Sequence, residues 1–171
     1  MKNCEQCKRC VWANGNDMLM QAYHDNEYGR KMNNDAELFE KLCLECFQAG
    51  LSWRTILYKR DALREAFLGF EPALIARMDA GDVDALMKNS GIIRNKKKIE
   101  AVIHNARLHK AQFPDDGDFV RYVYGFSEGA ALCADLKKRG YRFIGQTMCV
   151  SFLLSVGAVK AHESQCFLHI K

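Results

Sequence analysis

Asn34-Asp35-Ala36-Glu37-Leu38-Phe39-Glu40-Lys41-Leu42-Cys43-Leu44-Glu45-Cys46-Phe47-Gln48-Ala49-Gly50 is the stretch on which the fold class turns. Leu38, Phe39, Leu42, Cys43, Cys46 and Ala49 recur at helical spacing, behind an Asn/Asp start and ahead of a glycine stop. The pattern predicts a helix. Working outward, Ser52 is placed to cap a second helix running to about Phe67, and Pro72 suits the first turn of a short one ending near Met78. Another short helix is expected from about Ala80 to Asn89, broken at Ser90-Gly91. From Lys96 to about Gln112, Ile99, Val102, Ile103 and Ala106 mark the next, giving a helix, a tight hairpin and a helix within about 80–112. Segments near 118–125, 128–139 and 145–156 complete the series, and Lys137-Lys138-Arg139-Gly140 sets cations on the negative end of one of them. Two-residue alternation is nearly absent, so the expected fold class is all-α.

The chain of 171 residues suits one compact domain spanning residues 1–171. It holds no tandem repeat and no Ser/Gly/Pro-rich linker; Pro114-Asp115-Asp116-Gly117-Asp118 is the only polar break. With 49% hydrophobic residues, 27% charged and two prolines, the composition excludes disordered and collagen-like classes. The net charge of +4 is compatible with a polyanionic partner but too small to demonstrate one. Met1-Lys2-Asn3-Cys4-Glu5 leads into no apolar run, and the stretch near Cys149–Val159 is too short for a bilayer span, so a cytosolic location is expected. A reducing compartment keeps thiols free, and the eight cysteines are therefore read for metal ligation rather than for disulfides.

Three constellations could carry chemistry. Glu45 falls in line with Leu38, Leu42 and Ala49, on the side of its helix that should face the interior. A carboxylate there is either half of a structural ion pair or a site that meets something positive. Trp53 follows eight residues later, past a turn that could return an indole toward that carboxylate, and the two together suit a flat cationic ligand. Second, Ser90-Gly91-Ile92-Ile93-Arg94-Asn95-Lys96-Lys97-Lys98 delivers the chain into a helix start bearing four cations, where backbone amides can hold a phosphate; the same run could be a solvated face. Third, Cys10, His24, His162 and Cys166 make a Cys2His2 set from opposite ends of the chain, with His162 and Cys166 expected on one helical face. Four protein ligands leave no open position, which marks a structural metal. Cys4 and Cys7 are rival ligands, or with Cys10 the start of an iron-sulfur site.

Taken together these segments resemble the 3-methyladenine DNA glycosylase I family of the helix-hairpin-helix superfamily. The resemblance rests on Cys10-Val11-Trp12, Tyr23-His24-Asp25-Asn26-Glu27-Tyr28-Gly29, Leu44-Glu45, Gln48-Ala49-Gly50-Leu51-Ser52-Trp53, Gly91-Ile92-Ile93-Arg94, Leu136 through Gly145, and His162-x3-Cys166. It implies a monofunctional enzyme that flips out and excises cationic 3-methyladenine from alkylated double-stranded DNA. Glu45 would be the catalytic residue, with Tyr23, Trp53, Trp12 and Tyr28 about the base. Gly91, Ile92, Ile93 and Arg94 would grip phosphate, and a structural Zn2+ on Cys10, His24, His162 and Cys166 would tie the chain ends together. A monomer is expected. The alternative is a non-catalytic helix-hairpin-helix DNA-binding protein that keeps the structural zinc. Departures from the family lie at Tyr28, at Met20 and between Phe126 and Leu132, where the chain is shorter.

Overall fold

A computed structural model describes residues 8–169. Among the described residues the regular structure is helical throughout, with no strand. In chain order the helices are α1 (Met18–Asn26), α2 (Asp35–Gln48), α3 (Trp53–Ala66), α4 (Pro72–Ile75), α5 (Ala80–Lys88), α6 (Lys96–Gln112), α7 (Asp118–Val123), α8 (Gly129–Lys138) and α9 (Gln146–Ser155). Single 3₁₀ turns lie at Val11–Ala13 and Leu68–Phe70. The ends follow local chemistry. Asn34 caps α2 by accepting from the amides of Ala36 and Glu37, and Ser52 caps α3 by accepting from Thr55 N. Asp79 and Asp82 form a reciprocal capping box at α5.

α2 is the axis of the molecule. Phe39, Cys43, Leu44 and Phe47 pack with Ile56 and Leu63 of α3, Val83 and Leu86 of α5, and Ile99, Val102 and Ile103 of α6. Leu38, Leu42 and Cys46 pack instead with Phe119 of α7, Leu132 and Leu136 of α8, and Cys149, Phe152 and Leu153 of α9. Two apolar cores thus flank one helix. Lys41, Glu45 and Gln48 form a remaining stripe three to four residues apart, so their side chains leave the same side of α2. α2 is buried throughout from Lys41 to Phe47, Lys41 and Glu45 included, so the polar stripe faces the interior and not solvent.

The structure departs from the expected elements in three places. α1 is a helix that the sequence pattern did not announce, because it buries only Tyr23 and His24 and so carries no apolar stripe; Asp17 starts it by accepting from the amides of Leu19 and Met20. The helix after Pro72 is a single turn that ends at Ile75, short of Met78. His162–Cys166 is irregular turn rather than helix, with Cys166 N bonded to Glu163 O, so a turn and not a helical face brings that histidine and cysteine together.

The end of α9 meets the end of α1 through backbone alone. Gly157 has φ +67°, and a Cβ there would stand 2.5 Å from the carbonyl oxygen of Gly29, itself at φ +73°. Gly29 N donates to Ser155 O at 3.0 Å across the same contact. Any side chain would hold the two segments apart. Gly50 has a similar φ of +79° but open space around it. Urea denaturation should therefore show Gly157→Ala destabilised by about 3 kcal/mol or more, and Gly50→Ala by about 1 kcal/mol. Equal losses would mean that the close approach carries no cost beyond backbone strain.

Candidate functional site

Three elements converge on the polar stripe of α2. From α1 comes Tyr23, buried at 2% exposure; from α2, Glu45 at 4%; and from the first residue of α3, Trp53. With Trp12 they line a cavity of about 340 Å³, completed by Met20, Gln48, Ser52, Arg54 and Ser151. The rings form a continuous wall: Tyr23 lies 5.3 Å from Trp53 and 6.1 Å from Trp12, centroid to centroid, tilted by 46° and 49°. Tyr28 does not line this cavity. It stands edge-on behind Trp12 at 4.9 Å, and its hydroxyl donates to Ala161 O at 3.4 Å.

The polar atoms of this wall are unusual. The hydroxyl of Tyr23, Oε2 of Glu45 and Nε1 of Trp53 are buried and have no hydrogen-bond partner. Buried polar groups are nearly always paired, so three orphans around one cavity make it a place prepared for a polar, flat guest. Glu45 makes no ion pair within 4.0 Å among the described residues, and Ser155, on α9, donates its hydroxyl to Phe152 O. Burial pushes the Glu45 carboxyl up to about 8, an effect that the Lys41 ammonium and the nearby Ser155 hydroxyl only partly offset. An uncharged guest leaves that carboxyl protonated; a cation rewards its ionisation.

The cavity continues into a groove lined by Glu45, Gln48, Gly50, Leu51, Phe143 and Gly145. Leu51 and Phe143 are large apolar side chains, each about 40% exposed, at this mouth. The sequence marks Gln48, Leu51 and Phe143 only as members of matching segments, without a role, and passes over Lys41; a charged and an amide side chain in register with Glu45 on α2 are the available signal.

Behind the cavity lies the Cys2His2 constellation. The ligand atoms of Cys10, His24, His162 and Cys166 fall within 4.8 Å of one another, a group that could hold a metal ion. Cys10 Sγ is 3.6 Å from His162 Nδ1, and Cys166 Sγ is 3.4 Å from His24 Nε2 and 3.6 Å from His162 Nδ1. The far nitrogen of each histidine is occupied. His24 Nδ1 meets Asp25 Oδ1 at 2.8 Å, where Arg9 holds the carboxylate, and His162 Nε2 meets Tyr28 O at 3.2 Å. Glu163 N and Leu168 N donate to the two sulfurs. The cluster and the cavity share their supports: Trp12 is two residues from Cys10, and Tyr23 adjoins His24 on α1. Cys4 and Cys7 lie outside the described residues.

The remaining constellation is the hairpin between α5 and α6. Asn89 Oδ1 accepts from Gly91 N at 2.8 Å, Ile92 is buried at 3% exposure, and Asn95 caps α6 by accepting from Lys98 N. Lys59 of α3 donates to the carbonyls of Ser90 and Gly91. Arg94, Lys96 and Lys97 are exposed. Lys98, expected among the outward cations, instead turns inward and donates to Phe47 O and Ala49 O at 2.8 and 2.6 Å. The carbonyls at the end of α2 need donors and Lys98 supplies them, which ties the start of α6 to the turn that orients Trp53.

Compared with known proteins, the chain matches the methyladenine glycosylase family model over residues 12–134 and 127–169. It is 40% identical to a DNA-3-methyladenine glycosylase of Haemophilus influenzae, over 92% of this chain and 96% of that one. It is 39% identical to DNA-3-methyladenine glycosylase 1 of Escherichia coli, over 93% and 95%. A crystal structure of 3-methyladenine DNA glycosylase I superposes with a TM-score of 0.89 at 40% identity, covering 95% of this chain and all of that one. A structure of such a glycosylase in complex with 3-methyladenine superposes with a TM-score of 0.85 at 32% identity, covering 95% and 98%.

The buried carboxyl has a consequence for stability. Its folded value lies above the ordinary 4.5, so relative to a neutral side chain the folded protein loses stability as pH rises from about 4.5 to about 8. Glu45→Gln is expected to melt close to wild type at pH 5 and roughly 4 °C or more above it at pH 8.5. A melting difference independent of pH would refute the raised carboxyl.

Proposed function

The chain belongs to the methyladenine glycosylase family and hydrolyses the N-glycosidic bond of 3-methyladenine in DNA, a base-excision step in the repair of alkylation damage, and we propose that it does so through the cavity around Glu45. The observation that carries this assignment of residues is the set of three unpartnered polar atoms of Tyr23, Glu45 and Trp53 around one aromatic-walled cavity. A base must leave the stack to be examined, and a lesion that weakens pairing lowers that cost. Methylation at N3 makes adenine a cation, so the base leaves as a neutral molecule and a strong general acid is dispensable. Glu45 is the catalytic residue. Its carboxylate holds the flipped cation while water attacks the sugar as it becomes oxocarbenium-like, with Trp53 and Trp12 supplying π faces and the Tyr23 hydroxyl a hydrogen bond. Tyr28 acts behind Trp12, supporting the wall. Unmodified adenine is uncharged, does not reward the ionisation of Glu45, and is a poorer leaving group.

The enzyme is monofunctional in this account. Lys41 lies behind the rings of Tyr23 and Trp53, outside the cavity's lining, and so does not present an amine to the sugar carbon. The hairpin within α5 and α6 acts as a helix-hairpin-helix grip, in which Gly91, Ile92 and Ile93 offer backbone amides and Arg94 its charge to a phosphate of double-stranded DNA. Residues 1–171 work as one domain, as a monomer and in the cytosol. Among the described residues no helix is long and apolar enough to cross a membrane. A non-catalytic DNA-binding role is not favoured, because the relatives at about 40% identity are glycosylases.

The metal would be zinc. A tetrahedral zinc with sulfur at about 2.3 Å and nitrogen at about 2.0–2.1 Å sets sulfur–nitrogen edges of about 3.5 Å, and three of the cluster's four such edges are 3.4 to 3.6 Å. Asp25 and the Tyr28 carbonyl occupy the outer nitrogens as second partners of metal-bound histidines do. Zinc held by Cys10, His24, His162 and Cys166 supplies a cross-link and no reacting position.

Wild-type protein should release free 3-methyladenine from methylated DNA, resolved by chromatography. With the fold intact by circular dichroism, Glu45→Gln is expected to lower kcat/KM by about 100-fold and Trp53→Ala by roughly 10- to 100-fold. Full activity in both variants would remove the cavity from the reaction. Metal analysis should find one zinc per chain and no iron, and chelation should lower Tm by roughly 5 °C or more. Melting indifferent to chelation would reject a structural zinc.

A further inference from the structure

Lys41 is the one buried cation on the polar stripe of α2 for which the account above has no use. It lies one helical turn before Glu45 and is 4% exposed. Its Nζ is buried without a hydrogen-bond partner, 4.3 Å from the centroid of Tyr23 and 5.4 Å from that of Trp53. The nearest anion is Glu27 at 3.8 Å, and Arg60 already claims that carboxylate at 2.6 Å. An ammonium placed for structure alone would be paired and hydrogen-bonded. This one shares Glu27 with Arg60, has no hydrogen bond, and is held against the two rings that line the base cavity.

We propose that Lys41 is a positioning residue for base excision: from behind the aromatic wall its charge eases the ionisation of Glu45 and so sets how far below its optimum pH the enzyme still works. The proposal rests on the assignment of Glu45 as the residue that meets the cationic base. The groups facing the pair are few. Lys41 meets Glu27 and Tyr23 from the α1 side, Arg60 from α3, and Glu40 and Glu45 on its own helix; Glu45 meets Tyr23 from α1, Tyr28 just beyond it, Ser155 and Cys149 from α9, and Lys41 and Cys46 on its own helix. Lys41 is therefore the one cation acting on Glu45 from these surroundings. The substrate cation is fixed by methylation, so pH enters through the protein. Burial lowers the Lys41 ammonium to about 8, partly restored by Glu27, which means that its help is present below about pH 8 and fades above. The rings stand between this ammonium and a bound base, so the effect on the adjoining carboxyl outweighs repulsion of the substrate.

The test is the pH profile of kcat/KM for 3-methyladenine release by Lys41→Met, which keeps length and loses charge. Lys41→Gln serves as a second uncharged variant, Lys41→Arg keeps the charge, and melting curves check each fold. The uncharged variants should be about tenfold slower than wild type at pH 7 and within about twofold at pH 9.5, while Lys41→Arg follows wild type throughout. A loss of the same factor at every pH would assign Lys41 a structural role and overturn the proposal. A gain at pH 7 would overturn it too, by showing that repulsion of the base dominates. Glu45→Gln run alongside separates the two layers: if it is impaired while the Lys41 profiles parallel wild type, only the lysine proposal fails; if it keeps full activity, the assignment of Glu45 fails and takes the proposal with it.

Discussion

A buried carboxyl with no cation at contact distance and one oxygen left unpaired is the constraint from which the rest of this molecule follows. Folding Glu45 into the wall between two apolar cores costs free energy, because neither a cation at contact distance nor a hydrogen bond to Oε2 compensates it. Such a group persists where its cost returns as selectivity. On the proposed reading the pocket favours a guest that brings its own positive charge over one that has the same shape and none. Everything nearby serves that contrast. Rings exclude water on one side, the Lys41 ammonium moderates the carboxyl from behind, and α2 is held by packing on almost its whole circumference.

The wall is placed by the chain's own ends. Cys10 and His24 enter the Cys2His2 cluster, and the residues beside them, Trp12 and Tyr23, enter the cavity. A metal held at the cluster would thus fix two of the four pocket aromatic or acidic side chains without touching the guest. On the other side, Lys98 bonds the carbonyls that end α2 and starts the helix after the hairpin. The segment that would hold phosphate and the turn that presents Trp53 are joined by one side chain.

Much of this was legible before any coordinates. The period of Leu38, Leu42 and Cys46 and the caps at Asn34 and Ser52 predicted α2 and α3 closely, because strong amphipathicity and capping oxygens act locally. Glu45 on the interior side of α2 and the cysteine and histidine set were visible as residue types out of place. α1 was not, since a helix that buries a tyrosine and a histidine has no apolar stripe to read. The inward turn of Lys98 was hidden for a related reason: a lysine in a basic run looks solvated until the carbonyls that need it are seen. The same holds for Tyr28, whose place behind Trp12 rather than in the cavity depends on a contact with Ala161, more than a hundred residues away in sequence.

The most direct measurement is the protonation of Glu45 itself, followed by carbon-13 NMR of its labelled carboxyl, with Glu45→Gln to assign the resonance. In the free protein the account predicts a carboxyl that is protonated at pH 6.5 and titrates near 8, and that becomes ionised at pH 6.5 when the fixed cation 3,9-dimethyladeninium occupies the cavity. A resonance that titrates near 4.5 in the free protein, or one that does not respond to the cation, would contradict it.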